Sequence, residues 1–340
     1  MIRFSSLGDV VIQTSVVQWL KSTYGDKLRI TFVTSREFKD LVDQHPLIHR
    51  VLCFDRKAGK LAGLVKEIRA LHETDPVHLM IDLHATTRST LLRLMLSELP
   101  RLVVDKRRLE RWLLVHLPFV GLKRLISNYL LGREPQVLRV PRDWQGLLLA
   151  PALTPDSPLT FTPPPPRPQH DKPYVLFSPV ASFTPKRWPI ESFVELARQF
   201  LQQPEYQQHD LVIVGGPADT YCEAFNQIQD ARLINLQGKT NLKQSTGWVQ
   251  SAKLVVGNDS GMNHLAEAAG VPCITLFGPT HESFGFAPYG KNSSTISHNL
   301  WCRPCSPTGK NKCFRKEQYC FTLTNPERVM SEIQSKLAAL

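Results

Sequence analysis

At 340 residues, 42% of them hydrophobic and 21% charged, the chain is too long for one ordinary core and reads as two domains. Its apolar runs, such as Leu147-Leu148-Leu149-Ala150, fall far short of the roughly 20 residues a membrane-spanning helix needs, and no signal-peptide pattern opens it, so a cytoplasmic protein is expected. Lys and Arg exceed Asp and Glu by 41 to 30, a net charge of +11 that suits an anionic membrane surface or a phosphorylated substrate; nucleic acid is not expected, because no helix-turn-helix, zinc-finger or RNA-binding signature accompanies the charge.

The N-terminal segment Arg3-Phe4-Ser5-Ser6-Leu7-Gly8-Asp9-Val10 reads as strand, tight turn and helix. That order puts Ser5, Ser6 and Asp9 at the edge where ligands bind in such folds. On sequence alone Asp9 is favoured as a plain helix cap; it would serve as a general base if burial raises its pKa. Strands follow at Ile30–Thr34, Val51–Phe54 and Val77–Leu83, alternating with helices at Val10–Tyr24, Leu61–Glu73 and Thr86–Ser97. Strands alternating with helices of this length predict βαβ units and a parallel sheet. Basic residues then gather at Arg101, Lys106, Arg107, Arg108 and Arg111, either a solvated helix face or a site for anions.

The stretch 151–173 carries nine prolines, four of them consecutive at Pro163–Pro166, and cannot be helix or central strand. It reads as a semi-rigid linker between domains at 1–150 and 174–325, followed by a C-terminal helix at 326–340 that is free to pack back on the first domain. A second βαβ series begins with strand Tyr174–Ser178. The loop Ser182-Phe183-Thr184-Pro185-Lys186-Arg187-Trp188-Pro189 follows, leading into a helix whose apolar residues Ile190, Phe193, Val194, Ala197, Phe200 and Leu201 have helical spacing. Helix electrostatics disfavour cations at a helix start, so Lys186 and Arg187 make sense there if an anion shares the site; two solvated loop cations are the other reading.

Strand Leu211–Val214 runs into Gly215-Gly216-Pro217. Strands Leu254–Val256 and Cys273–Phe277 flank a helix from Met262 to Ala269. The loop entering that helix, Gly257-Asn258-Asp259-Ser260-Gly261-Met262-Asn263-His264, would present backbone N–H groups and a positive dipole end to an anion. Asp259 and Ser260 also suit helix capping, and His264 suits either packing or contact with the same anion. No G-x-G-x-x-G, Walker A or Asp-x-Asp pattern occurs, which removes the signatures of dinucleotide redox binding, P-loop hydrolysis and metal-held pyrophosphate. Cys302, Cys305, Cys313 and Cys320 form a cluster with a single Cys-x-x-Cys pair; reduced, packed thiols are favoured over a structural zinc site.

Three of these segments together resemble glycosyltransferase family 9, the ADP-heptose:lipopolysaccharide heptosyltransferases. The resemblance lies in Ser5-Ser6-Leu7-Gly8-Asp9, Lys186-Arg187-Trp188-Pro189 and Asn258-Asp259-Ser260-Gly261 with His264, extended by Phe277-Gly278-Pro279-Thr280. It implies an α/β protein of GT-B architecture, with two Rossmann-like, doubly wound domains facing a central cleft. It further implies inverting, metal-independent transfer of heptose from ADP-heptose to the lipopolysaccharide inner core, with no cofactor, at the inner face of the inner membrane.

By that resemblance Asp9 is the catalytic base. Ser182, Lys186, Asp219, Asp259, Ser260, Gly261 and His264 bind the donor. Ser6, His84, Arg88, Lys106, Arg107 and Arg108 bind the acceptor. The alternatives are another nucleotide-sugar transferase or epimerase of the same architecture, and a non-catalytic protein that binds nucleotide or lipopolysaccharide.

Overall fold

The computed structural model describes residues 1–43, 45–55, 61–117, 119–131 and 168–340. Most of the proline-rich stretch, through residue 167, lies outside them. The chain divides into two compact units, whose described parts are residues 1–106 and residues 107–131 with 168–340.

The first unit contains α1 (Leu7–Tyr24), β1 (Thr31–Ser35), β2 (Arg50–Phe54), α2 (Leu61–Thr74), β3 (Met80–Asp82), α3 (Thr87–Met95) and β4 (Arg101–Val103). β1 pairs parallel with β2, and β3 with β4. Residues 1–4 join the two pairs, since Ile2 bridges in parallel to both Val33 and Asp82. Arg3 N donates to Val33 O at 2.9 Å and Ile2 N to Ile81 O at 2.8 Å. The N-terminal segment is therefore the middle strand, which explains why Ile2 and Phe4 are buried although the run is so short. α2 turns Leu61, Leu64, Val65, Ile68 and Leu71 inward at the spacing of one helical face, and the first four join Ile2, Phe4 and Val33 in one core cluster.

The second unit opens with α4 (Arg108–His116) and α5 (Val120–Leu125). It continues with β5 (Tyr174–Ser178), α6 (Ile190–Gln202), β6 (Asp210–Ile213), β7 (Leu233–Asn235), α7 (Leu242–Ser251), β8 (Leu254–Asn258), α8 (Gly261–Ala268), β9 (Cys273–Leu276), β10 (Ser294–Ile296), α9 (Tyr319–Thr322) and α10 (Pro326–Ala338). Six parallel strands lie in the order β10-β9-β8-β5-β6-β7. The chain starts in the middle at β5, winds outward through β6 and β7, then returns to β8 on the other side. The point where strand order reverses lies between β5 and β8, and doubly wound sheets bind ligands at the carboxyl ends of the strands there.

β5, β6, β8 and β9 are buried throughout, as a sheet covered on both faces requires. α6 contributes Phe193, Val194, Ala197, Phe200 and Leu201 to the core on one side of the sheet, and α10 adds Val329, Met330 and Ile333. The three-residue strands β7 and β10 and helix α7 are among the elements that the sequence pattern does not mark. β7 and β10 occupy the two edges of the sheet and lack a full buried run, and α7 (LKQSTGWVQS) mixes polar and apolar residues too evenly to show a face.

Candidate active site

In the second unit, the loops after β5, β6, β8 and β9 all leave from the carboxyl edge of the sheet. Gly257, inside β8, is what lets β5 and β8 come together there. A Cβ on it would stand 2.8 Å from Ser178 O and 2.7 Å from the Asn263 side-chain oxygen, closer than real Cβ contacts come. Asn258 at the end of β8 then ties the two loops together. Its Nδ2 donates to Pro179 O at 2.6 Å, and its Oδ1 accepts from Trp188 N at 2.9 Å. Trp188 is itself buried, and its indole donates to Thr324 O at 3.0 Å.

That scaffold places Lys186 Nζ 2.8 Å from Asp259 Oδ2, which also accepts from Thr280 Oγ1 at 2.7 Å. Both ends of the ion pair are largely covered, with side chains 16% and 6% exposed. Asp259 is thus held by a cation and a hydroxyl from two other loops, and capping of α8 falls to Ser260 by position alone. Ser260 has extended backbone at the N-cap, yet its side chain makes no capping bond. Its buried Oγ has no hydrogen-bond partner among the described residues. An unpartnered hydroxyl at the N-terminus of a helix, beside a lysine, is an arrangement that accepts an anion. Gly261 begins the helix, and His264, one turn in, is buried with its ring 6.2 Å from Phe286. Asp259, Ser260 and His264 share the lining of one small pocket with Asn263, Glu267 and Phe286.

Ser182 is exposed in the loop after β5. Asp219, in the loop after β6, accepts from Gly216 N at 2.9 Å and from the Tyr221 hydroxyl at 3.1 Å. Arg187 does not join Lys186. Its guanidinium stacks on Tyr221 at 4.3 Å, lies 3.8 Å from Asp219 and donates to Ala181 O at 3.0 Å, so it braces the loop. Thr280 and Gly309 are additions that the sequence did not single out for a role. Gly309 has φ +76°, and a Cβ there would run into Lys186 Cγ, so the cysteine-rich segment lies directly on the lysine's alkyl chain.

In the first unit, Asp9 sits at the start of α1, just past the middle strand. Its carboxylate is ion-paired with Arg3, and its Oδ2 accepts from Ser6 N at 2.9 Å and Ser6 Oγ at 2.7 Å. Asp9 is therefore half of a capping box as well as the partner of a buried arginine. Burial alone would raise its pKa. The Arg3 charge and the hydrogen bonds from Arg3 and Ser6 outweigh that and hold it well below the ordinary carboxylate range.

His84 follows β3 at the same edge. Burial, helped by the charges of Arg3 and Lys106, lowers it from 6.5 to about 4, so it is neutral near pH 7. Its Nδ1 is buried without a hydrogen-bond partner among the described residues. Asp82 beneath it accepts from the backbone N–H groups of His84 and Ala85, each at 2.9 Å, and pairs with Arg93 at 2.9 Å. Arg88 is exposed and lies over the Phe54 ring at 5.1 Å. Ser6, His84, Arg88 and Lys106 belong to this unit. Arg107 and Arg108 open α4 and belong to the second.

Cys302, Cys305, Cys313 and Cys320 are free thiols. Among the described residues no group of three or more His, Cys, Asp or Glu side chains is gathered as a metal ion would require, so their arrangement lends no support to the zinc alternative. Lys123 Nζ lies beside them, donating to Trp301 O at 3.0 Å and Arg303 O at 3.4 Å.

Comparison with known proteins points to one family. The profile of glycosyltransferase family 9 (heptosyltransferase) matches residues 151–314. Lipopolysaccharide heptosyltransferase 2 of Salmonella typhimurium is 34% identical over 120 residues, a match that covers 34% of this chain and 33%, about a third, of that relative. Lipooligosaccharide heptosyltransferase 2 of Campylobacter jejuni is 24% identical over 97% of this chain and 95% of its own length. Among solved structures, the ADP-heptose lipopolysaccharide heptosyltransferase II of E. coli superposes with TM-score 0.66 at 19% identity, over 99% of this chain and 98% of that one. The likeness to this solved structure makes the fold GT-B, and residues 151–314 match the model of glycosyltransferase family 9, the heptosyltransferase family.

Proposed function

We propose that the chain is an inverting, metal-independent glycosyltransferase that moves heptose from ADP-heptose to the inner core of lipopolysaccharide, on Kdo-lipid A or a core heptose. The observation that carries the reading is the Lys186–Asp259 pair beside the unpartnered Ser260 hydroxyl, at the point where the strand order of the second sheet reverses. The relatives' names supply the sugar and the acceptor class.

In this reading the diphosphate takes Lys186, the Ser260 hydroxyl and the first N–H groups of α8. Ser182, Asp219 and His264 complete the donor site. The acceptor hydroxyl oxygen attacks the anomeric carbon from the face opposite the diphosphate. As the new C–O bond forms, the bond from the anomeric carbon to the phosphate oxygen breaks, and ADP leaves with the electron pair. Charge then grows on the phosphate oxygens, where a lysine and helix amides stabilise it without a metal.

The proton of the attacking hydroxyl goes to Asp9. A carboxylate held ionised by Arg3 is a weak base, and that suffices here. The hydroxyl becomes strongly acidic as its oxygen bonds to the electron-poor anomeric carbon, so proton transfer accompanies or follows bond formation. Ser6, His84, Arg88, Lys106, Arg107 and Arg108 serve the phosphorylated acceptor, whose anions suit guanidinium and ammonium groups. The enzyme works in the cytoplasm, in peripheral contact with the anionic inner leaflet that holds such an acceptor. A thermal-shift screen of ADP-, UDP- and GDP-sugars tests the donor half of the reading: stabilisation by the adenosine diphosphate compounds is expected, and stabilisation by UDP-sugars alone would refute it.

A further inference from the structure

One face of the second unit carries large exposed apolar side chains. α4 packs Leu113, Leu114, Val115 and Leu117 against Phe284 and Phe286. Its opposite stripe presents Leu109 and Trp112, 66% and 56% exposed, at the i, i+3 spacing of one helical face, and the stacked pair Trp112–His116 continues the stripe. α5 and its entry carry on with Phe119, Leu122 and Leu125, of which Phe119 is 67% exposed. A helix with an apolar stripe on both sides has one stripe for its own core and one for something else.

The neighbouring residues 301–316 add to the same surface. Lys123 Nζ fastens α5 to the carbonyls of Trp301 and Arg303, and Arg111 fastens α4 to Pro307 O at 3.2 Å. Trp301 and Phe314 are exposed and meet edge-on with ring centres 5.9 Å apart. The same segments carry exposed Arg124, Lys310, Lys312 and Lys316. The sequence contains no Asp or Glu from Arg111 to Leu131, and none from Ser283 to Lys316. The face thus combines Trp, Phe and Leu with cations and has almost no acidic residues.

We propose that α4, α5 and residues 301–316 form a docking surface for an anionic phospholipid bilayer, with the Trp, Phe and Leu side chains entering the headgroup boundary and the lysines and arginines meeting lipid phosphates. Charge decides the occupant. A second copy of this chain related by two-fold symmetry would set this basic face against itself, whereas an anionic leaflet matches it. The inference rests on the membrane contact named above and deepens it by assigning the surface.

The test is co-flotation of the full chain with vesicles of phosphatidylcholine alone and of an equimolar mixture with phosphatidylglycerol, for the unaltered protein and for Leu109→Ser/Trp112→Ser/Phe119→Ser. The unaltered protein is expected to float with the anionic vesicles and to release as salt rises. The triple variant is expected to bind them at least about tenfold more weakly. It should keep its circular dichroism spectrum and its thermal shift with ADP; if it does not fold, Trp112→Ser and Phe119→Ser are taken singly and are expected to weaken binding in part. If the unaltered protein floats with neither vesicle, membrane contact itself is refuted. If the folded variants float as well as the unaltered protein, the surface is wrong while membrane contact stands. If the triple substitution instead abolishes a concentration-dependent dimer and leaves flotation unchanged, the face is a protein interface and the proposal falls.

Discussion

Lys186 and Asp259 meet at 2.8 Å although their loops follow strands that lie far apart in sequence; the sheet brings β5 and β8 side by side, so the pair closes the point where strand order reverses. The pair holds the lysine at the mouth of α8, and Asp259 is also held by Thr280. In the proposed function Asp259 would therefore keep its place if the lysine turned toward a donor phosphate. Lys186→Ala is expected to weaken ADP binding by roughly 10- to 100-fold, the worth of one charge-assisted hydrogen bond. The same change strands a buried carboxylate and should cost roughly 3 kcal/mol of stability. Lys186→Ala/Asp259→Asn should recover part of that stability without recovering ADP affinity, which calorimetry and urea unfolding measure separately.

Gly257 is the second test of that edge. Gly257→Ala is expected to destabilise the protein by roughly 1–3 kcal/mol, since its Cβ would press on the Ser178 carbonyl and the Asn263 amide and neither is the end of a flexible chain. A lower urea midpoint with unchanged slope is the expected signature. An unchanged midpoint would mean that β5 and β8 do not approach as closely as described.

Much of this was legible beforehand. The strand-loop-helix order around Ser182–Lys186 and Asp259–Gly261 follows from local periodicity and helix-start chemistry, and both loops do leave from one sheet edge. The partner of Asp259 was not legible, because Thr280 lies on the loop after β9 and only the strand order brings it near. Arg3 shows the same limit. It stands in the first strand pattern, but its pairing with Asp9 depends on a turn that folds the strand's end back on α1. Arg187, expected beside Lys186, instead stacks on Tyr221, a residue more than thirty positions away. The grouping of α4 and α5 with the second unit was equally hidden, since it arises from Leu114 packing on Phe284 across a long sequence separation.

His84 makes stability depend on pH. Its folded pKa of about 4 lies below the ordinary 6.5, so between those values the unfolded chain binds the proton and the folded one does not. Stability is full above pH 6.5, falls as pH drops toward 4, and changes no further through this group below that, for a total of about 3 kcal/mol. Unfolding free energies measured across this range should show the slope, to which His281, also lowered to about 4 by burial, contributes, and His84→Gln should make it shallower by the share of His84. An unchanged slope in the variant would remove His84 as its source.

Asp9 should behave differently from Lys186. Asp9→Asn is expected to lower turnover by about 100-fold or more, the usual contribution of a positioned base, while leaving ADP affinity as it was. The variant also leaves Arg3 with a neutral partner, so its melting temperature should fall. Equal losses of turnover and of ADP affinity would assign Asp9 a structural role as the cap of α1 and the partner of Arg3.

The most direct measurement is ADP release from ADP-heptose with and without a Kdo-lipid A acceptor, in the presence of EDTA, with the anomeric configuration of the product read by NMR. Release that requires the acceptor, persists in EDTA, yields the inverted product and fails in Asp9→Asn is the predicted result. Transfer from UDP-sugars only, a retained configuration, or full turnover without Asp9 would contradict it.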